Sequence, residues 1–173
     1  RDSPEAVDAL EQTILQLAVR GLLVEQDASD EPASELLRKI RAEKDRLIAE
    51  GKIKKDKPLP VIGDEEKPFD LPAGWEWARV GSLGVTQTGG TPSSGKAENF
   101  DGKFPFIGPG QITLKGEVLP AEKFISKIGC LESAQAEPND ILMVCIGGSI
   151  GKCAAAPFAT AFNQQINSIR PIY

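Results

Sequence analysis

With 173 residues, 40% of them apolar, the chain can bury a core for one domain and an appendage, and its net charge of −5 argues against a general nucleic-acid binder. It contains no histidine, which removes His-based catalysis and His metal ligation. Its three cysteines, Cys130, Cys145 and Cys153, form no C-x-x-C pair, so neither a zinc site nor a disulfide framework is indicated, and no apolar run approaches the ~18 residues of a transmembrane helix.

The charge is unevenly spread. Residues 1–70 carry 12 Lys+Arg against 17 Asp+Glu, whereas residues 71–173 carry 8 of each. The second part is therefore neutral, which suits a DNA reader only where other subunits supply much of the phosphate contact. The first residues do not form a signal peptide, so a cytoplasmic location is expected, and Arg1 in place of Met points to a trimmed chain.

Ser3-Pro4-Glu5 reads as a helix start, with a capping hydroxyl, a proline at the first position and an acid in the first turn. Val7, Leu10, Ile14 and Leu17 then form a narrow apolar seam that Gly21 ends. Ordinary packing within the chain is the expected use of that seam, with a partner helix as the alternative. A second helix is predicted from an Asp30 cap to Gly51, with Leu37, Ile40 and Leu47 as its stripe and Glu35–Lys39 as a supporting pair. Two such helices make an antiparallel hairpin over residues 1–55. Residues 56–70 read as a linker, because Pro58, Pro60 and Pro68 favour extended chain beside the acidic run Asp64-Glu65-Glu66. The basic stretch KIKKDK before it reads as a solvated helix end.

Residues 71–173 read as a mostly β domain. Trp75 and Trp77 flank Glu76, which predicts a short strand with both rings in the core. The stretch TQTGGTPSSGK, Thr86 to Lys96, is a polar glycine loop able to offer hydroxyls and N–H groups to phosphates or base edges. Phe104–Ile107 reads as a strand. Gln111 to Lys115 alternates polar and apolar, which predicts a strand placing Gln111, Thr113 and Lys115 on one face. Glutamine can pair with adenine and lysine can reach guanine or phosphate. A helical turn is expected between Val118 and Ile128.

The stretch Pro138–Pro171 reads as strand, glycine loop, strand, polar turn, strand. Ile141 to Ile146 suits a strand buried on both faces, with Cys145 in the core. GGSIGK tempts a nucleotide-binding reading, but the phosphate-loop spacing puts its first glycine at Ile146, and Cys153 stands where a Mg²⁺-binding hydroxyl should follow the lysine. A glycine-rich hairpin turn with a surface Lys152 is the alternative. Asn163-Gln164-Gln165 is a neutral turn able both to donate and to accept. The carboxylates of this part, Glu132 among them, are scattered, and spacing nominates no catalytic constellation, cofactor or metal.

The strings DILMVCIGGSIGKCA and FNQQINSIRP resemble the target recognition domain of a type I restriction–modification specificity subunit. LPAGWEWARVGSL with TGGTPS resembles the opening of such a domain, and Leu15–Lys55 resembles the helical segment before it. The three motifs stand in the family's order and cover nearly the whole chain. The resemblance implies an α+β chain: a helix pair, a Pro-rich linker and a recognition domain that would continue past Tyr173. It implies a non-catalytic module that reads one half of a bipartite double-stranded DNA site. Methyltransferase subunits using S-adenosylmethionine and ATP-driven motor-nuclease subunits would carry the chemistry. On that reading the DNA contacts are Thr88, Thr91, Ser93, Gln111, Thr113, Lys115, Ser149 and Lys152. The alternatives are an assembly piece without independent DNA binding and, more remotely, a small enzyme using GGSIGK on a phosphorylated substrate.

Overall fold

The computed structural model describes residues 3–55 and 57–172. Asp56, where the basic stretch enters the linker, therefore lies outside the described residues, as do Arg1, Asp2 and Tyr173. The chain is α+β and divides into two compact units, Arg1–Leu83 and Gly84–Tyr173. No helix is long and apolar enough to cross a membrane among the described residues.

In the first unit, α1 (Pro4–Val19) starts where Ser3 Oγ accepts from the Ala6 N–H at 3.3 Å. It ends at Gly21, whose φ of 67° is open to glycine at little cost. There the Gly21 N–H donates to Ala18 O and the Leu22 N–H to Leu17 O, which satisfies two terminal carbonyls. Helix α2 (Ala33–Ala49) closes in the same way at Gly51, φ 70°. Its start is not Asp30. Pro32 occupies the cap without a side-chain bond, and the Ala33 N–H donates instead to Gly74 O at 2.8 Å. A backbone carbonyl 41 residues along the chain thus does the work expected of a local carboxylate. Glu35 accepts from Arg38, and Lys39 reaches Glu31.

Two readings of this unit are corrected. The seam of α1 is not packed within the chain: Val7, Leu10, Ile14 and Leu17 are all exposed, and α1 buries none of its residues. Trp75 and Trp77 form no strand. Trp75 Nε1 donates to Gln26 Oε1 at 2.7 Å, and the Trp77 ring tilts against Phe69 at 5.1 Å, so side-chain partners rather than a ladder hold this segment.

A fork anchors the Pro-rich stretch. Arg79 donates to both Glu66 oxygens, and to the carbonyls of Pro60 and Val61. With the Gly63 N–H it holds the Glu66 carboxyl down at about 2 against an ordinary 4.5. A depressed carboxyl supports the fold above its unfolded value and loses that support as pH falls through its folded one. Acidification from neutral pH should therefore leave the 60–67 segment intact until below 4.5, and loosen it as pH approaches about 2. Hydrogen exchange at Glu66 and Lys67 checks this. Protection that stays flat across that window, or that Arg79→Ala leaves unchanged, would contradict it.

Among the described residues the second unit holds eight strands in two sheets. In the first sheet β1 (Gly84–Thr88), β8 (Ile166–Pro171), β5 (Ile141–Val144) and β6 (Cys153–Ala155) lie in that order, all antiparallel. In the second, the order is β3 (Lys123–Ile125), β2 (Phe104–Ile107), β7 (Thr160–Phe162) and β4 (Gln135–Ala136), with β2 and β7 parallel. Helix α3 (Lys127–Leu131) follows β3, capped by Ser126 Oγ. Ile107, Ile112, Leu142, Val144, Phe162 and Ile166 fill the core between the sheets. Asp140 is buried beside them, forked by Arg170 at 2.8–3.2 Å and accepting from the Glu137 N–H.

Three further expectations change here. Strand β5 is half-buried, with Leu142 and Val144 inward and Ile141 and Met143 partly covered. It stops at Val144, and Cys145 is exposed rather than core, because the chain turns out to make the β5–β6 hairpin. Gln111–Lys115 is no strand. Pro109–Gln111 is a 3₁₀ turn whose glutamine reaches back so that Oε1 accepts from the Gly108 N–H at 3.0 Å. Residues 113–116 form a second turn closed by the Ile112–Val118 bridge, so Gln111, Thr113 and Lys115 share no strand face.

Candidate functional site

Several connections of the sheet unit meet at one end, because β1, β2, β5 and β7 all finish where β8 begins. The register places Thr88 opposite Asn167, Val144 opposite Ile166, and Ile107 opposite Phe162. The chain crosses from one sheet to the other through Asn163-Gln164-Gln165, and that turn is the hub.

Asn163 builds the turn. Its Oδ1 accepts from the Gln165 N–H, its backbone O accepts from the Ile166 N–H, and its Nδ2 donates to Gln165 Oε1 at 3.0 Å. Such an Asx turn is why asparagine suits this position. Each neighbouring loop is then tied to the hub. The Asn163 N–H donates to Ile107 O, at the end of β2. The Cys145 N–H donates to Gln165 O and Gln165 Nε2 reaches Ile146 O, at the start of the glycine hairpin. The Gly89 and Gly90 N–H groups donate to Ile166 O and Phe162 O, beyond β1. Thr91 Oγ1 donates to Gln164 Oε1 at 2.8 Å across 73 residues of sequence.

The TGGTPS loop is fixed from beneath. Pro92 is fully buried while Thr91 and Ser93 on either side are exposed. The Glu132 carboxylate, one residue beyond α3, takes the Ser93 N–H at 2.9 Å and Asn99 Nδ2 at 3.2 Å on one oxygen, and Lys96 Nζ at 2.9 Å on the other. The Ser93 N–H, followed by Lys96, holds the Glu132 carboxyl below the usual carboxylate range. Ser133 Oγ donates to Gly90 O at 2.6 Å.

The residues nominated from sequence fall into three groups. Thr91 is bonded to the hub, Thr88 and Ser93 flank it in the chain, and Gln111 Oε1 and Asn163 Nδ2 both lie close to Gly108. Ser149 and Lys152 lie on the β5–β6 hairpin, where Gly147 and Gly151 take φ values of 103° and 93°, beyond the reach of most side chains. Thr113 and Lys115 sit on the separate 113–116 turn, where a Cβ on Gly116 would stand 3.6 Å from Cys153 O, at the start of β6. Gln164 and Glu132 were not nominated. The polar turn signal marked Gln164 without its partner, and nothing local marks Glu132, whose bonds span 33–39 residues. The surface so formed is neutral and rich in amides and hydroxyls. It can donate and accept hydrogen bonds, and its acid–base pair, Glu132 with Lys96, is engaged in fixing the loop. Among the described residues no group of three or more Cys, Asp or Glu could hold a metal ion.

The profile described as "Type I restriction modification DNA specificity domain" matches residues 72–173. Over 78 residues the chain is 70% identical to the type I restriction enzyme EcoAI specificity subunit of Escherichia coli and 64% identical to the EcoEI specificity subunit of the same organism. Each match spans 45% of this chain and 13% of the relative. Among solved structures, an HsdS subunit from Thermoanaerobacter tengcongensis is 21% identical, with a TM-score of 0.45 over 95% of this chain and 34% of its own. A chain from a type I R-M system, solved to explain its complex assembly and conformational transition, is 19% identical, with a TM-score of 0.46 over 98% of this chain and 38% of its own.

Proposed function

The chain belongs to the type I restriction–modification DNA specificity family, and on that premise we propose that its sheet unit reads one half of a bipartite double-stranded DNA site for partner methyltransferase and motor-nuclease subunits in the cytoplasm. The observation that carries this reading is the convergence of Thr91, Ser93, Gln164 and the glycine hairpin on one neutral, hydrogen-bonding end of two sheets. Base edges are discriminated by such groups, whereas cations mainly hold phosphate. The Thr91 hydroxyl orients the Gln164 amide through Oε1, and Gln164 Nε2 has no protein partner among the described residues. An amide held in this way suits paired donation and acceptance with adenine. Thr88, Gln111, Thr113, Lys115, Ser149 and Lys152 are the further contacts proposed. Chemistry falls to the partners, and the chain itself is non-catalytic.

The test uses a complex reconstituted with the modification subunits, because a neutral surface making few phosphate contacts binds weakly alone. Gln164→Ala should cost about 1–3 kcal/mol at a single base pair and leave other positions unchanged. Lys152→Ala should instead weaken binding to every sequence and lower the salt slope by about one. Unchanged base preference and unchanged slope in the two variants would sink the reading. One observation favours a second reading, an assembly piece without independent DNA binding: the exposed seam of α1 offers a partner an apolar stripe. A complex that assembles through this chain yet binds all duplexes alike would support it.

A further inference from the structure

We propose that Glu132 is a positioning residue for DNA reading, setting the TGGTPS loop so that Thr91 and Ser93 face the duplex; this rests on the recognition reading above. The geometry is that of a bracket. One carboxylate oxygen takes the backbone N–H of Ser93 and the side chain of Asn99, which itself donates to Ser93 O at 3.1 Å. The other takes Lys96, three residues further along the same loop. The neighbouring Ser133 hydroxyl holds Gly90 O, so two adjacent residues grip both ends of the segment 90–96. Asn99 is fully buried and Pro92 is buried beneath the loop, so the bracket bears on a rigid base.

A carboxylate is a poor neighbour for phosphate unless its charge is already engaged. Here three donors engage it, and in return it engages Lys96. Glu132 therefore has two separable effects: it orders the loop, and it withholds one cation from DNA. Only an acceptor on both oxygens does both.

The variants separate these effects in the reconstituted complex. Glu132→Gln keeps an oxygen for Ser93 and Asn99 but turns an –NH₂ toward Lys96. It should preserve base preference while freeing Lys96, so the salt slope should rise by about one. Glu132→Ala loses both and should lower discrimination between the preferred duplex and single-base variants by about tenfold at the pairs the loop contacts. Where Glu132→Ala does not assemble, Glu132→Asp replaces it, since a carboxylate one methylene shorter cannot span Ser93 and Lys96 together. Combining either change with Thr91→Ala/Ser93→Ala should add no further loss of preference, because Glu132 acts only through those residues.

Base preference unchanged by Glu132→Ala or Glu132→Asp overturns the proposal, as does a Glu132→Gln that relaxes preference as fully as alanine, or a loss that persists in the Thr91→Ala/Ser93→Ala background. That background also distinguishes the two failures. If Thr91→Ala/Ser93→Ala shifts base preference and Glu132→Ala does not, only the positioning role falls. If neither shifts it, the loop does not read DNA and the recognition reading falls with it.

Discussion

Phe162→Ala should destabilise the sheet unit by about 3–5 kcal/mol, the range for emptying a fully buried aromatic site. Phe162 is fully buried, pairs in register with Ile107 on the parallel β2, and packs in the cluster with Leu142, Val144 and Ile166. It belongs to one sheet and fills the layer against the other, so neither side can close over the void without breaking its ladder. Domains of this kind hold only about 5–15 kcal/mol in reserve, so the variant should approach the threshold of folding. The urea midpoint should fall with little change in slope. Both tryptophans, Trp75 and Trp77, lie in the helical unit, so their emission follows the wrong part of the chain. Far-ultraviolet dichroism or exchange at β5 and β8 amides is the proper measure. A loss below about 1 kcal/mol would mean that the two sheets do not share this core.

Gly89→Ala tests the joint between core and recognition surface. A Cβ at this position would stand 2.0 Å from Asn163 O, 2.6 Å from Asn163 C and 2.6 Å from a Phe162 ring carbon. Two of those three atoms are backbone, so no rotamer change relieves the contact. Either β1 or the Asn163 turn must move, at a cost of about 1–3 kcal/mol. The Gly89 N–H bond to Ile166 O and the Thr91–Gln164 pair lie on the path of that movement. Stability and base selectivity should therefore fall together. Gly95→Ala in the same loop is the control, because a Cβ there meets nothing within 4 Å. The idea fails if the two variants melt at the same temperature and select DNA alike.

What could be read from the residues, and what could not, divides by the range of the interaction. Strands β2 and β5 announced themselves as apolar runs bounded by turn residues, β8 as the segment after the amide turn, and the positive-φ glycines at 21 and 51 closed their helices on local rules. The failures involve distant partners or a side chain folding back on its own backbone. Trp75 and Ala33 take their positions from Gln26 and Gly74. Gln111 alternates with apolar neighbours as a strand residue would, but its amide satisfies the Gly108 N–H and curls the chain. Cys145 sits in an apolar run, yet the ladder ends one residue earlier and exposes it. At the candidate site the hydroxyl loop and the amide turn were each visible as polar segments. Their joining through Thr91 and Gln164, and the bracket from Glu132, depend on contacts that no local pattern encodes.

The pairing of β1 with β8 sets a timetable for synthesis. Among the described residues the ladder of Gly84–Thr88 runs along Asn167–Pro171, so β1 waits for β8. At ribosomal rates of about 5–20 residues per second, the 78 residues from Gly89 to Ile166 take roughly 4–16 s to emerge. Throughout that interval the nascent chain carries β1 with a bare edge, the condition in which strands pair with the wrong neighbour. The sheet that β1 opens therefore closes only once β8 has emerged, so its folding follows synthesis rather than accompanying it.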